Sequence, residues 1–263
     1  MKQCLLTLLL WSLFFTTEGK HITGGEMIYE YLNTTAAGKR FQVTLILFRD
    51  ELSIGSATMP GSVTIGIYNN DNLALQEFRN VTRLRTYQVP INAMPKCITN
   101  PPSLSYTAGI YTFILTVPAA NVNGYTAAYQ TCCRIDGIMN VPDMTGATYT
   151  SVIPGSNALG TAGDNSPRFA QAISVICHER TFSLDFSAFD ADGDSLVYSF
   201  CSAYNGGSAT AADFSEPGPP PYTEVSYVGS GGGNPLGDGV SIDARTGIIS
   251  GIAPFNGRYV VSV

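Results

Sequence analysis

The stretch Thr181-Phe182-Ser183-Leu184-Asp185-Phe186-Ser187-Ala188-Phe189-Asp190-Ala191-Asp192-Gly193-Asp194-Ser195-Leu196-Val197-Tyr198-Ser199-Phe200-Cys201 decides the fold class. At its centre, Asp190, Asp192 and Asp194 set three carboxylates within five residues. Before them, Phe182, Leu184 and Phe186 alternate with Thr181, Ser183, Asp185 and Ser187. After them, Leu196, Tyr198 and Phe200 fall on one parity, and Val197, Ser199 and Cys201 on the other. Period-two alternation places each set on one face of a strand. The stretch therefore predicts two half-buried strands joined by an acidic turn.

The rest of the chain agrees with an all-β reading. Of 263 residues, 44% are hydrophobic and only 13% are charged, against roughly 25% in ordinary soluble domains. The chain is too apolar and too weakly charged for intrinsic disorder. Its formal net charge is −6. It carries no basic run, which argues against a nucleic-acid partner.

Met1 to Cys4 form a short basic start, Leu5 to Phe15 an almost unbroken apolar run, and Thr16 to Lys20 a polar exit. That is the pattern of a secretory signal peptide over 1–19, cleaved after Gly19. The run is too short to span a bilayer. A second one, Ile110 to Val117, is stopped by Pro118. The expectation is an exported mature chain with no transmembrane segment. Removing the signal also removes Trp11, the single tryptophan.

Between 20 and 139, strands are expected over Glu26–Leu32, Phe41–Phe48, Ser62–Tyr68, Leu73–Phe78, Arg83–Val89, Tyr111–Val117 and Tyr125–Cys133. Both faces of Phe41–Phe48 are apolar, the pattern of a strand covered on both sides or central to a sandwich. Asn69-Asn70-Asp71-Asn72 predicts a hairpin turn, because Asn and Asp tolerate left-handed backbone. Residues 140–167 are rich in Gly and Pro and read as a linker or long crossover. A second unit, 168–263, holds the acidic turn and a Gly/Pro tract from Gly206 to Pro221. It continues through a flexible loop at Ser230–Asn234, strands at Val240–Asp243 and Ile248–Gly251, and a final strand Arg258–Val263. The chain stops inside that strand with no polar tail, which reads as a fragment of a longer protein. The predicted architecture is two immunoglobulin-like β-sandwich units joined by a Gly/Pro-rich linker.

The mature chain keeps Cys97, Cys132, Cys133, Cys177 and Cys201. Export makes disulfides the expected state. The count is odd, so one thiol is free or pairs with another chain. Cys132 and Cys133 are adjacent on a predicted strand and should face opposite ways, with different partners. The expected pairs are Cys97 with one of these two, and Cys177 with Cys201. Cys177-His178 lacks the ligand spacing of a zinc site.

No sequence motif organises a catalytic centre: Gly-x-Ser-x-Gly, His-Glu-x-x-His and a phosphate-binding glycine loop are all missing. Three acids on one tight turn repel one another, which suits a cation better than an acid–base pair. Asp190, Asp192 and Asp194 match the first ligand positions of an EF-hand loop, but Ser195 and Cys201 stand where that loop needs Gly and Glu. The expectation is a calcium site of a β domain, completed by Asp243 from a distant turn. The competing reading is a solvated bend made by Asp-Gly.

Three pieces of the second unit carry a resemblance: Phe189–Ser199, Ile242-Asp243-Ala244-Arg245-Thr246-Gly247-Ile248-Ile249-Ser250-Gly251, and Gly257-Arg258-Tyr259-Val260-Val261. In that order they resemble dystroglycan-type cadherin-like and related immunoglobulin-like domains. Arg245-Thr246 stands where cadherins carry an acidic pair. Most of the mature chain also resembles the N-terminal region of gliding-motility-associated, type IX-secreted bacterial surface proteins. The matching pieces are His21–Glu26, Leu47-Phe48-Arg49-Asp50, Gly124-Tyr125, Tyr129–Arg134, Asn165–Phe169, and the acidic turn running into Tyr198–Cys201. Relatives tend to have Cys where this chain has Glu51. The resemblance implies adhesion or scaffolding at a cell surface.

The expected function is thus an exported, non-enzymatic adhesion or spacer protein, calcium-stabilised, whose partners are other surface proteins or extracellular glycans. One rival is a carbohydrate-binding β-sandwich, in which tyrosines would replace the missing tryptophans. The other is a secreted hydrolase.

Overall fold

The computed structural model describes residues 22–53, 58–91, 94–159, 163–170, 173–207, 216–228 and 234–263. The expected signal peptide, most of the loop at Ser230–Asn234 and the middle of the Gly206–Pro221 tract lie outside them. The chain is all-β. Among the described residues the one helical piece is a single turn, Ser156–Leu159. Among the described residues no helix is long and apolar enough to cross a membrane.

Seven strands form one antiparallel sheet: β1 (Ile22–Thr35), β2 (Gly38–Asp50), β3 (Ser62–Asn69), β4 (Leu75–Gln88), β5 (Tyr106–Val117), β6 (Tyr125–Thr131) and β7 (Ala147–Ile153). Their spatial order is β1-β2-β5-β4-β3-β6-β7. The hairpin β1–β2 closes at the pair Thr35–Gly38. Gly38 has φ +133°, and a Cβ there would lie 2.2 Å from the Val117 carbonyl oxygen, so the position needs glycine.

The two expected strands Leu73–Phe78 and Arg83–Val89 are in fact one long strand, β4. Its first half pairs with β3 and its second half with β5. The change of partner falls at a register shift between Arg83 and Arg85. A bulge of this kind bends a strand, and it turns Leu84 outward, 68% exposed. Both halves of the sheet then feed one core. Phe41, Val43, Leu45 and Leu47 of β2 meet Val63, Ile65 and Ile67 of β3, all at 0% exposure. Full burial of each such side chain contributes roughly 1.5–3 kcal/mol. Tyr111, Phe113, Leu115 and Val117 of β5 add the same parity of their strand. At the outer edges β1 meets β7, where a Cβ on Gly25 would lie 3.1 Å from the Tyr149 ring.

The other face of β2 is also covered, as its sequence predicts. Phe48 packs with Val89, Tyr106 and Ala108, and Ile173 closes over them. The Asn-rich hairpin is present between β3 and β4. The Asn69 side chain accepts the Asp71 N–H at 2.8 Å, and Asn72 accepts that of Ala74 at 3.0 Å.

The stretch 140–167 is not a plain linker, because it contains β7. Ala147, Tyr149 and Ile153 point into the main core, while Val152 is 60% exposed. Alternation is present in Ala147–Ile153, but flanking Gly146, Pro154 and Gly155 mask it. Beyond β7 the sheet edge is continued by Tyr204, which bridges Thr148 on one side and Glu224 on the other.

The remaining elements are short. β8 (Arg168–Phe169) pairs with β10 (Ala188–Phe189), and β11 (Val240–Ile242), β12 (Ile248–Ile252) and β9 (Thr181–Asp185) form a three-stranded sheet. The parities predicted around the acidic turn hold. Phe182, Leu184, Phe186 and Phe200 pack on Leu236, Val240 and Ile249, and Val197 is 83% exposed. Leu196–Cys201 does not join a ladder, however. Its bonds go to separate places, from Tyr198 N–H to Ala244 O and from Cys201 N–H to Ser262 O. The final segment Arg258–Val263 likewise makes one isolated bridge, at Ile138. Its alternation divides two small cores: Tyr259, Val261 and Val263 face one, and Val260 the other.

Candidate functional site

The acidic turn is closed by its own first carboxylate. Asp190 is buried, and its Oδ1 accepts the N–H groups of Asp192 at 2.9 Å and Asp194 at 3.1 Å. Gly193, at φ +81°, supplies the left-handed bend. Asp192 points away from this turn. Its Oδ2 accepts the Asn165 backbone N–H at 2.7 Å, and both its oxygens accept the Asn165 side-chain amide, at 3.0 and 3.1 Å. Asn165 then passes the contact to β1, where its Oδ1 accepts the Tyr31 N–H at 2.8 Å. Ser166 continues along the same edge: its Oγ accepts the Tyr29 N–H at 2.9 Å, and its own N–H donates to Tyr29 O at 3.0 Å. The turn is thus one end of a hydrogen-bond relay that covers the β1 edge of the large sheet.

That relay changes the electrostatics of Tyr29. Burial is the main force holding its phenol well above the usual range. The hydrogen bond to Asp164, 2.5 Å long, adds to this, as do the charges of Asp164, Asp190 and Asp192.

Asp243 lies in a different turn. Its Oδ1 accepts the N–H groups of Arg245 and Thr246 at 2.9 and 2.8 Å, and the Thr246 hydroxyl at 3.0 Å. These donors, the Thr246 and Arg245 amides first, hold its carboxyl below the ordinary range. The two turns are linked by Tyr198, which is buried between them. Its hydroxyl bonds to the Ala188 N–H and carbonyl at 3.0 and 3.3 Å. A Cβ on Gly247 would lie 2.9 Å from its ring. The sequence motifs therefore meet through a tyrosine, which carried no signal of its own beyond its inward parity.

Among the described residues the expected calcium ligands Asp190, Asp192, Asp194 and Asp243 do not gather into one cluster. Asp190, Asp192 and Asp243 turn their oxygens to amide donors. Among the described residues, no three or more Asp, Glu, His or Cys side chains gather where they could hold a metal ion. Asp194 is exposed beside them. A calcium site needs six or more converging oxygens.

The cysteine pairing also differs from expectation. Cys97 is bonded to Cys177, with Cα atoms 6.3 Å apart, and Cys132 is bonded to Cys133. The opposite-face argument for Cys132 and Cys133 fails because β6 ends at Thr131, before the pair. Cys201 is free and exposed. Partial burial, then the Glu224 carboxylate, raises its thiol above the usual value.

The Cys97–Cys177 bridge joins the β4–β5 connection to the segment entering β9. Two polar contacts reinforce it. Arg258 pairs with the buried Asp50 carboxylate at 3.1 Å. Asn140, 2% exposed, donates to Pro235 O and Val260 O at 2.7 Å each and accepts the Val260 N–H at 2.9 Å. Sequence reasoning missed Asn140 and Asn165. Each is a buried or bridging amide whose partners lie far along the chain.

No family model, no curated protein and no solved structure matches the chain.

Proposed function

We propose that the protein is an exported, non-enzymatic surface module, acting as a spacer or in adhesion, whose two β units behave as a pair of immunoglobulin-like domains. The observation that carries this reading is the clamp between the large sheet with its connections and the segments flanking β9, β11 and β12: the Cys97–Cys177 disulfide, the Asp50–Arg258 pair and the Asn140 bonds. Disulfides persist in oxidising compartments outside the cytoplasm. A body held by a covalent tie and buried polar contacts resists bending, as a spacer must. The sequence signal over 1–19 and the resemblance to gliding-motility-associated surface proteins point the same way.

The test is antibody labelling of intact producing cells, with N-terminal sequencing of the labelled protein. Surface labelling and a mature chain starting at Lys20 are the expected results. Protein confined to the cytoplasm, with an intact start and all cysteines reduced, would overturn the proposal. So would a hydrolytic activity of the purified chain that disappears in carboxylate variants.

A further inference from the structure

A cleft of about 200 Å³ lies beside the end of β6. Its floor is bare backbone at Gly206 and Gly207. A Cβ on Gly206 would lie 2.2 Å from Thr148 Oγ1 and 2.8 Å from Gln130 Nε2; one on Gly207, at φ +77°, would lie 2.5 Å from the Thr131 carbonyl carbon. A side chain at either position would collide with β6 or β7, so these glycines let the backbone lie directly against the end of the sheet.

The polar groups around it are oriented by the fold. Asn205 Oδ1 accepts the N–H groups of Gly146 and Gly206, both at 2.8 Å. That fixes its amide and leaves the Nδ2 hydrogens with no bond among the described residues. Gln130 Oε1 accepts the Gly218 N–H at 3.0 Å, and Nε2 donates once, to Thr148 Oγ1 at 3.1 Å. One Gln130 N–H is therefore also left over among the described residues. The Thr223 hydroxyl stands exposed at the rim. Tyr222 also lines it, and among the described residues its hydroxyl is buried without a partner. The cleft thus offers its ring body, an apolar plate, to an incoming group.

We infer that this cleft is a binding site for one neutral sugar ring of a glycan. Oriented N–H donors match the acceptor oxygens of a polyol, and the tyrosine plate matches the C–H face of a pyranose. None of the described lining residues is charged, which disfavours a cationic ligand. Glu216 and Glu224 bracket the segment that carries Tyr222, and the chain is net negative, which disfavours an anion. The volume is below the roughly 300–1,000 Å³ of drug-sized ligand sites, so it suits a single ring. This inference supplies a partner class for the surface reading, yet it is tested separately: sugar binding by purified protein bears on the cleft, and antibody labelling of cells bears on display.

The experiment is saturation-transfer NMR of the full chain with glucose, galactose, mannose and N-acetylglucosamine. Binding of at least one with a Kd on the order of 1–10 mM is expected, the range open to so small a ligand. Thr223→Trp, which fills the rim, should weaken it at least tenfold. Asn205→Asp keeps the acceptor for Gly146 and Gly206 but removes the amide donors, and it should do the same. If one blocking variant does not fold, the other decides. No transfer to any sugar, equal binding by a folded blocking variant, or preference for acetate or a triproline peptide would overturn the assignment.

Discussion

Asp192 holds Asn165 through both carboxylate oxygens, at 2.7 Å to the backbone N–H and at 3.0 and 3.1 Å to the side-chain amide. An acidic turn with the spacing of a cation site thus serves as a docking hook. The attraction comes from amide dipoles already present in the fold. The predicted consequence is that Asp192→Ala destabilises the protein in calcium-free buffer. Loss of a charge-assisted bond set at an exposed site costs about 1 kcal/mol, which for a chain of this size lowers the melting temperature by roughly 2–4 °C. Millimolar calcium should not change the wild-type melting temperature. A calcium-dependent rise that Asp192→Ala abolishes would restore the metal site.

The Cys97–Cys177 bridge closes a loop with a sequence separation of 80. In the chain-entropy model, a loop of that length contributes about 4–5 kcal/mol by restricting the unfolded chain. Cys97→Ser should therefore produce one of the largest losses of stability of any single substitution here. Peptide mapping of unreduced protein checks the pairing directly. A peptide containing both Cys97 and Cys177 is expected, and one joining Cys177 to Cys201 would refute the bridge.

Much of the large sheet was legible because alternation needs only local information. Val43, Leu45 and Leu47 announce their common face, and so do Phe182, Leu184 and Phe186. What was not legible depends on partners distant in sequence. Leu196–Cys201 shows its faces clearly, yet its ladder is decided by where Ala244 and Ser262 arrive. β7 is short and bounded by Gly and Pro, so its weak alternation was outweighed by turn signals. Cysteine pairing depends on the approach of two loops, which spacing does not encode. The hook at Asp192 is the plainest case, since its chemistry was readable and its partner, Asn165, was not.

Asp50 is almost fully buried, with its side chain 3% exposed, and Arg258 reaches its Oδ2 from the C-terminal segment. Removing one partner leaves a buried charge alone, which typically costs about 3–5 kcal/mol. Arg258 is itself 47% exposed, so water can partly replace it. Arg258→Ala is therefore expected to cost about 2–3 kcal/mol. The double variant Asp50→Asn, Arg258→Leu should recover much of that loss, because no unpaired charge remains. Chemical denaturation of the three proteins measures the difference. Equal stabilities of the double and single variants would mean that the charge itself is not the cause.

Glu26, on β1 opposite Ile46, is the carboxyl whose environment favours the neutral form. Burial raises its pKa above the ordinary 4.5, and the Arg168 guanidinium opposes this more weakly. The sign follows from linkage. A raised folded-state pKa means that the protonated group fits the fold better. Its contribution is present in full below the unfolded-state value and is lost as pH rises through the folded-state value. At pH 7 the ionised Glu26 therefore weakens the fold. Glu26→Gln, which imitates the protonated side chain, should raise the melting temperature at pH 7 by roughly 1–3 °C. At pH 4 the wild type already holds most of its proton there, and the gain should shrink toward zero. Arg168 keeps its other partner, Glu30, at 2.6 Å, so the substitution does not strand that cation. Thermal melts of both proteins at the two pH values test this. An equal gain at both would assign the effect to packing, and a loss at pH 7 would show that the Arg168 attraction outweighs burial.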